Sequence, residues 1–181
     1  MRQILRKYAN AGALPATLVT LLLVWCSAAP AQIYTDLYNF NNTSGTSPSD
    51  PQVLAQGRDG NLYGTAPQAG TGGGGVAFSV TPDGTLSVIH DFSGADGFRP
   101  NAGLTLGLDG NFYGTTVLGG NNNLGEVFQL TPEGFVFVLY SFTGGSDGAY
   151  PYAPPVLGND GSLYGVTKSA TARMLPRLSE G

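Results

Sequence analysis

One tetrapeptide constrains the fold of this chain more than any other feature. It recurs as Asp59-Gly60-Asn61-Leu62, Asp109-Gly110-Asn111-Phe112 and Asp160-Gly161-Ser162-Leu163, at steps of 50 and 51 residues, and Tyr-Gly follows each copy. A fixed period of that size predicts a stack of similar supersecondary units. Proteins of this kind work through the surface their units build together.

Aligned on the Asp-Gly turns, the two complete copies predict four strands each. Val53-Leu54-Ala55 and Leu104-Thr105-Leu106 form a first short strand. Asp-Gly-Asn supplies the positive φ of a tight hairpin. Leu62 to Thr65 and Phe112 to Thr115 form the second strand, followed by Gly-rich loops at Ala69 to Gly75 and Gly119 to Gly125. Val76 to Val80 and Glu126 to Leu130 form the third, with Phe78 and Val80, or Phe128 and Leu130, on one face by alternation. Thr-Pro-Asp-Gly at 81–84 and Thr-Pro-Glu-Gly at 131–134 close a second hairpin. The fourth strand is Leu86 to Phe92, or Val136 to Phe142. Strict alternation there puts Leu86, Val88, His90 and Phe92 on an inner face, matched by Val136, Val138, Tyr140 and Phe142.

Four antiparallel strands with apolar residues on both faces describe a sheet packed between two neighbours, as in a β-propeller blade. A β-sandwich does not account for the repetition of every turn type. The fold expected is all-β, a propeller-like array of four-stranded antiparallel blades, two complete plus partial units at both ends. The units run at about 51–100 and 101–150 with a partial one at 151–167, within a repeat region of 32–167. A lone strand at 33–41 aligns with the fourth strand, Tyr38-Asn39-Phe40 matching His90-Asp91-Phe92. Residues 168–181 match no earlier copy and are read as a non-repeat tail, left by truncation, with a capping segment as the alternative. Rings take about four to eight blades, so an open arc is expected, self-associating through its open blade faces.

The N-terminus reads as a signal peptide over residues 1–31. Arg2, Arg6 and Lys7 give a basic start, Leu18 to Trp25 an apolar run, and Ala29-Pro30-Ala31 a cleavage site. The single cysteine, Cys26, falls in this segment, so disulfides cannot stabilise the mature chain. No membrane span is expected after cleavage. The mature chain sets Arg58, Arg99, Lys168, Arg173 and Arg177 against all twelve acidic residues, a net charge of −7. Nucleic acid and anionic membrane surfaces, which are held by basic patches, are excluded as partners.

The stretches DGNLYGT, DGNFYGT, GEVFQLTPEG and VLYSFTGGSDG resemble the GloVer-type tandem repeats of exported bacterial proteins grouped as "choice-of-anchor", over Tyr34 to Thr167. The resemblance implies a secreted or surface-displayed repeat protein of propeller-like build. It brings no biochemical activity and no catalytic residues.

Little in the chain suggests chemistry. Gly70, Gly72 and Gly75 fit G-x-G-x-x-G, but a strand follows where the dinucleotide fingerprint needs a helix N-terminus. His90, the only histidine, stands where other copies carry Tyr38 and Tyr140. Zinc would need more partners, and no nucleophile motif serves a catalytic triad. Asp59, Asp109 and Asp160 belong to hairpin turns. Asp96 and Asp147 recur in the loop after the fourth strand and line a rim, short of the roughly six to eight oxygens of a calcium site. Asn41 and Asn42 match a glycosylation sequon but read as ordinary loop residues in a bacterial protein. No catalytic, cofactor-binding or metal-binding residue is assigned, and no cofactor.

The expectation is a secreted or periplasmic, non-enzymatic module that binds an unknown ligand, carbohydrate or protein, with Tyr63, Tyr113 and Tyr164 as repeated aromatics. The alternatives are an exported propeller hydrolase or lyase, and a non-functional fragment of a larger repeat protein. The enzyme reading calls for polar residues present in one copy only. Glu126, opposite Val76 of the first copy, is one such residue.

Overall fold

The computed structural model of the protein describes residues 36–38, 53–169 and 178–179. The expected signal peptide, Cys26, Asn41, Asn42 and most of the lone strand at 33–41 lie outside them. Among the described residues every regular element is a strand.

The first blade is a meander of β1 (Ala55–Gln56), β2 (Leu62–Ala66), β3 (Val76–Val80) and β4 (Leu86–Asp91). The second repeats it with β5 (Thr105–Leu106), β6 (Phe112–Thr116), β7 (Glu126–Leu130) and β8 (Val136–Ser141). The third holds β9 (Val156–Leu157), β10 (Ser162–Tyr164) and β11 (Leu178–Ser179). The hairpins form where the turn residues put them: Gly60, Gly84, Gly110, Gly134 and Gly161 all take positive φ. The described residues thus form an all-β, propeller-like array of antiparallel blades, the two complete ones four-stranded.

The first strands start later than the sequence suggests. Val53 and Leu54 precede the ladder, and the Val53 carbonyl instead lies against Gly103, where a Cβ would come within 2.2 Å of it. Neighbouring blades therefore touch along their first strands.

The fourth strand corrects the expected alternation. Phe78 pairs with Val88 but Ala77 with His90, so Ile89 is an extra residue; Phe128, Val138, Val127 and Tyr140 repeat this around Leu139. A β-bulge shifts the side-chain parity. Leu86, before it, packs with Phe78 and Val80, whereas Phe92, after it, joins the core on the opposite side. Val88, expected inside, is half exposed at the outer edge. One strand thus serves two neighbours.

The core lies between blades. Tyr63, Ala77 and Phe92 of the first blade pack with Leu104, Phe112, Phe128 and Leu130 of the second. Tyr63 stacks on Phe112 with centroids 4.2 Å apart, and Phe92 meets Phe128 edge-on at 5.2 Å. Burying each large apolar side chain contributes about 1.5–3 kcal/mol. Polar groups tie the same seam: the Thr65 hydroxyl lies 2.9 Å from the Pro100 carbonyl and 2.8 Å from that of Ala102. Thr115 repeats the contact to Ala153 O at 3.1 Å.

Asp36 to Tyr38 continue the pattern at the other side. A Cβ on Gly84 would lie 2.5 Å from the Leu37 carbonyl, as one on Gly134 would lie 2.1 Å from that of Ile89. Leu37 thus stands to the first blade as the bulge residue Ile89 stands to the second, and Tyr38 packs against Phe78 and its neighbours.

The tail differs from the expectation that the pattern ends at Thr167. Ala149 and Ser169 exchange both backbone hydrogen bonds at 3.1 Å, repeating the bridge between Phe98 and Leu118. Leu178–Ser179 then pair with Ser162 and Leu163 in the place of a third strand. Backbone register suffices for that, which is why no sequence motif announced it.

Candidate functional site

Strand direction puts two kinds of loop at opposite ends of the blades. One end carries the Asp-Gly-Asn and Thr-Pro turns. The other carries the Gly-rich β2–β3 and β6–β7 loops and the connections leaving β4 and β8.

At the turn end, the repeated aspartates are engaged locally, as expected. Asp59 accepts from the Asn61 amide at 3.2 Å, the Asn61 side chain at 2.7 Å and the Tyr63 hydroxyl at 2.7 Å. Asp109 and Asp160 repeat this with Asn111 and Tyr113, and with Ser162 and Tyr164. The Tyr63 hydroxyl is the main cause holding the Asp59 carboxyl below its usual range. Burial works to raise Asp109, yet the hydrogen bonds from Asn111 and Tyr113 outweigh it. Gly57 exists for this motif, since a Cβ there would lie 2.5 Å from Asp59 and 2.8 Å from the Tyr63 ring. Tyr63 and Tyr113 are buried, so these repeated aromatics are packing elements.

At the loop end, Asp96 and Asp147 cap the turn after the fourth strand. The Ser93 amide and hydroxyl both donate to Asp96 at 2.9 Å, and His90 Nε2 lies 2.7 Å from its other oxygen. In the second blade Thr143 donates twice to Asp147 at 2.7 Å, and the Tyr140 hydroxyl at 3.0 Å. His90 and Tyr140 therefore do one job. The Thr143 hydroxyl, then its amide, bring Asp147 down from 3.8 to about 2. A depressed carboxyl stabilises the fold above its unfolded pKa and loses that contribution as pH falls through the folded one. The 143–148 turn is therefore expected to loosen between pH 3.8 and about 2. Chemical shifts of Thr143 followed through an acid titration check this, and Asp147→Asn should abolish the step.

The G-x-G-x-x-G segment is an inter-strand loop. Gly73 and Gly75 amides donate back to Gly70 and Ala69 carbonyls, and Thr71 anchors the loop on Asp91 through amide and hydroxyl at 3.0 and 2.6 Å. Among the described residues no group of three or more His, Cys, Asp or Glu side chains is placed to hold a metal ion.

Glu126 is the exception to this local bookkeeping. In the first blade the acid of the paired positions is Asp91, exposed, opposite Val76; in the second it is Glu126, only 1% exposed, opposite Ser141. One oxygen of Glu126 accepts from Ser141 Oγ at 2.6 Å; the other is buried without a partner, as is the hydroxyl of its cross-strand neighbour Thr116. Burial pushes the carboxyl up, Ser141 opposes that, and the charge of Asp96 adds to the rise. The sequence marked Glu126 as a single-copy polar residue; its burial under the charge of Asp96 was not legible there.

Blades of this order, repeated with every turn conserved between copies, define a tandem-repeat propeller-type protein. The family described as the Gloeobacter/Verrucomicrobia repeat matches residues 25–174, and the chain belongs to it. Its reach past Thr167 agrees with the continued pairing at Lys168 and Ser169. No curated protein matches the sequence. Among solved structures, a streptogramin B lyase is similar at 20% identity and a TM-score of 0.43, over 71% of this chain and 40% of that one. A selenomethionine-substituted virginiamycin B lyase from Staphylococcus aureus is similar at 17% identity and a TM-score of 0.43, over 70% and 40%. The chain thus spans about two fifths of the length of either, at 40% coverage.

Proposed function

We propose that this is an exported, non-catalytic repeat module that binds a carbohydrate or protein ligand on its loop end. The observation that supports the reading is the division of labour between repeated and unrepeated side chains. The repeated carboxylates and tyrosines are engaged inside their own turns. The loop end changes between copies: exposed Thr71 to Gly73 become Asn121 to Asn123, also exposed, and exposed Arg99 becomes half-buried Tyr150. Amide-rich, weakly charged loops on a rigid scaffold suit recognition of neutral polar groups.

Binding of the full chain to a panel of neutral glycans and to candidate surface proteins tests this. Asn121→Ala combined with Arg99→Ala is expected to weaken binding while leaving the melting temperature unchanged. A second reading has one specific observation in its favour: His90 and Glu126, each present in one copy only, stand at a single seam. Turnover of a glycan by the chain, abolished by Glu126→Gln, would decide for the hydrolase or lyase and against a binding module.

A further inference from the structure

Glu126 sits at the start of β7, under the connection that leaves the first blade. Three observations define its surroundings. The Gly120 amide donates to Gly94 O at 3.1 Å and Phe98 pairs with Leu118, so the two loops are bound to each other across the seam. A Cβ on Gly97 would lie 2.4 Å from the Thr116 side chain, and one on Gly120 2.6 Å from Glu126 Oε1. Both glycines take positive φ, so the backbone is drawn down onto these side chains with no room between. Beneath it, the second carboxyl oxygen of Glu126 and the Thr116 hydroxyl are both buried and unpartnered.

We propose that Glu126 is a proton-operated latch for the connection spanning Ser93 to Arg99: neutral, it lies closed under the loop, and ionised, it drives the loop open.

The groups around the carboxyl are those such a latch needs. Its cross-strand neighbour on β6 is Thr116, and from β8 the Ser141 hydroxyl donates to it, neither charged. From the β6–β7 loop the Gly120 backbone comes close to it. The first-blade connection brings the carboxylate of Asp96, itself bonded to His90. The one charge acting on Glu126 among the described residues is therefore of its own sign. A carboxylate formed here has a single hydroxyl donor, one orphaned oxygen and a like charge opposite. Buried charges in that position are relieved by water or by movement. Water reaches this oxygen only if the loop lifts, and Gly94, Gly97 and Gly120 allow that at little cost in backbone strain. The first blade has no equivalent, because Val76 stands where Glu126 does. The inference does not depend on what the loop end binds.

The sign of the response is fixed. A carboxyl that holds its proton more tightly in the folded state contributes stability below the ordinary glutamate range and loses it as pH rises through its elevated value. Once the carboxyl titrates, the opening constant should rise about tenfold per pH unit.

Hydrogen exchange of the full chain, corrected for intrinsic rates, reads this directly. The Phe98 and Gly120 amides should lose protection with rising pH, while the Thr131 amide, bonded to Phe135 O at the turn end, should not. Glu126→Gln should hold both loop amides at constant protection. If that variant fails to fold, Glu126→Val, which copies the first blade, should behave the same way. The proposal is overturned if either variant keeps the wild-type pH dependence. It is equally overturned if the Glu126 carboxyl resonance of the wild type titrates in the ordinary glutamate range with the loop amides unchanged.

Discussion

Phe128→Ala is expected to destabilise the protein by about 3–5 kcal/mol, the range for emptying a large aromatic site in a close-packed core. Phe128 is fully buried, and its ring is gripped from both blades. Phe92 of the first blade meets it edge-on at 5.2 Å, and Gly114 of its own blade approaches so closely that a Cβ would lie 2.5 Å from Cζ. Collapse into the cavity would need two sheets to shift together, and their first strands and the Thr65 hydroxyl resist that. Total stabilities run at about 5–15 kcal/mol, so this loss removes a large share. Urea unfolding followed by tyrosine fluorescence measures it. A loss under about 1 kcal/mol would contradict tight packing at the seam.

Gly114→Ala is expected to cost about 1–3 kcal/mol or more by overpacking. The added methyl would lie 2.5 and 2.9 Å from Phe128 ring atoms and 3.0 Å from Leu104 Cδ2. Real contacts of this kind do not fall below 3.0 Å. Gly114 is not among the positive-φ residues, so the effect is steric. Gly64 stands in the same relation to Phe78, at 2.7 Å. In the first two blades the glycine of the Tyr-Gly pair therefore makes room for the phenylalanine of the third strand. Combining Gly114→Ala with Phe128→Leu should cost less than the two changes summed, because they compete for one volume. Additive melting-temperature shifts in that cycle would refute the explanation.

The sequence made the blades legible because their punctuation is local. Asp-Gly-Asn and Thr-Pro-x-Gly encode turns by backbone preference alone, and the third strands at Val76–Val80 and Glu126–Leu130 lie where those turns require. The bulges at Ile89 and Leu139 left no such mark: apolar residues fill the strand on either side, and only pairing with β3 or β7 reveals the extra residue. The same holds for Leu178–Ser179, which takes a strand position without a strand motif. At the loop end, repetition exposed Asp96, Asp147 and the odd residue Glu126. What it could not supply was the partner of each, since Ser93, Thr143 and Ser141 are ordinary in any alignment and acquire meaning from distance.

The third blade carries Val166 where its predecessors carry Thr65 and Thr115. Those hydroxyls fasten the following unit by its backbone carbonyls; Val166 offers a methyl of similar shape and no donor, and it is exposed. Adhesion at the two described seams is therefore directional, the threonine of one blade reaching forward to backbone carbonyls of the next.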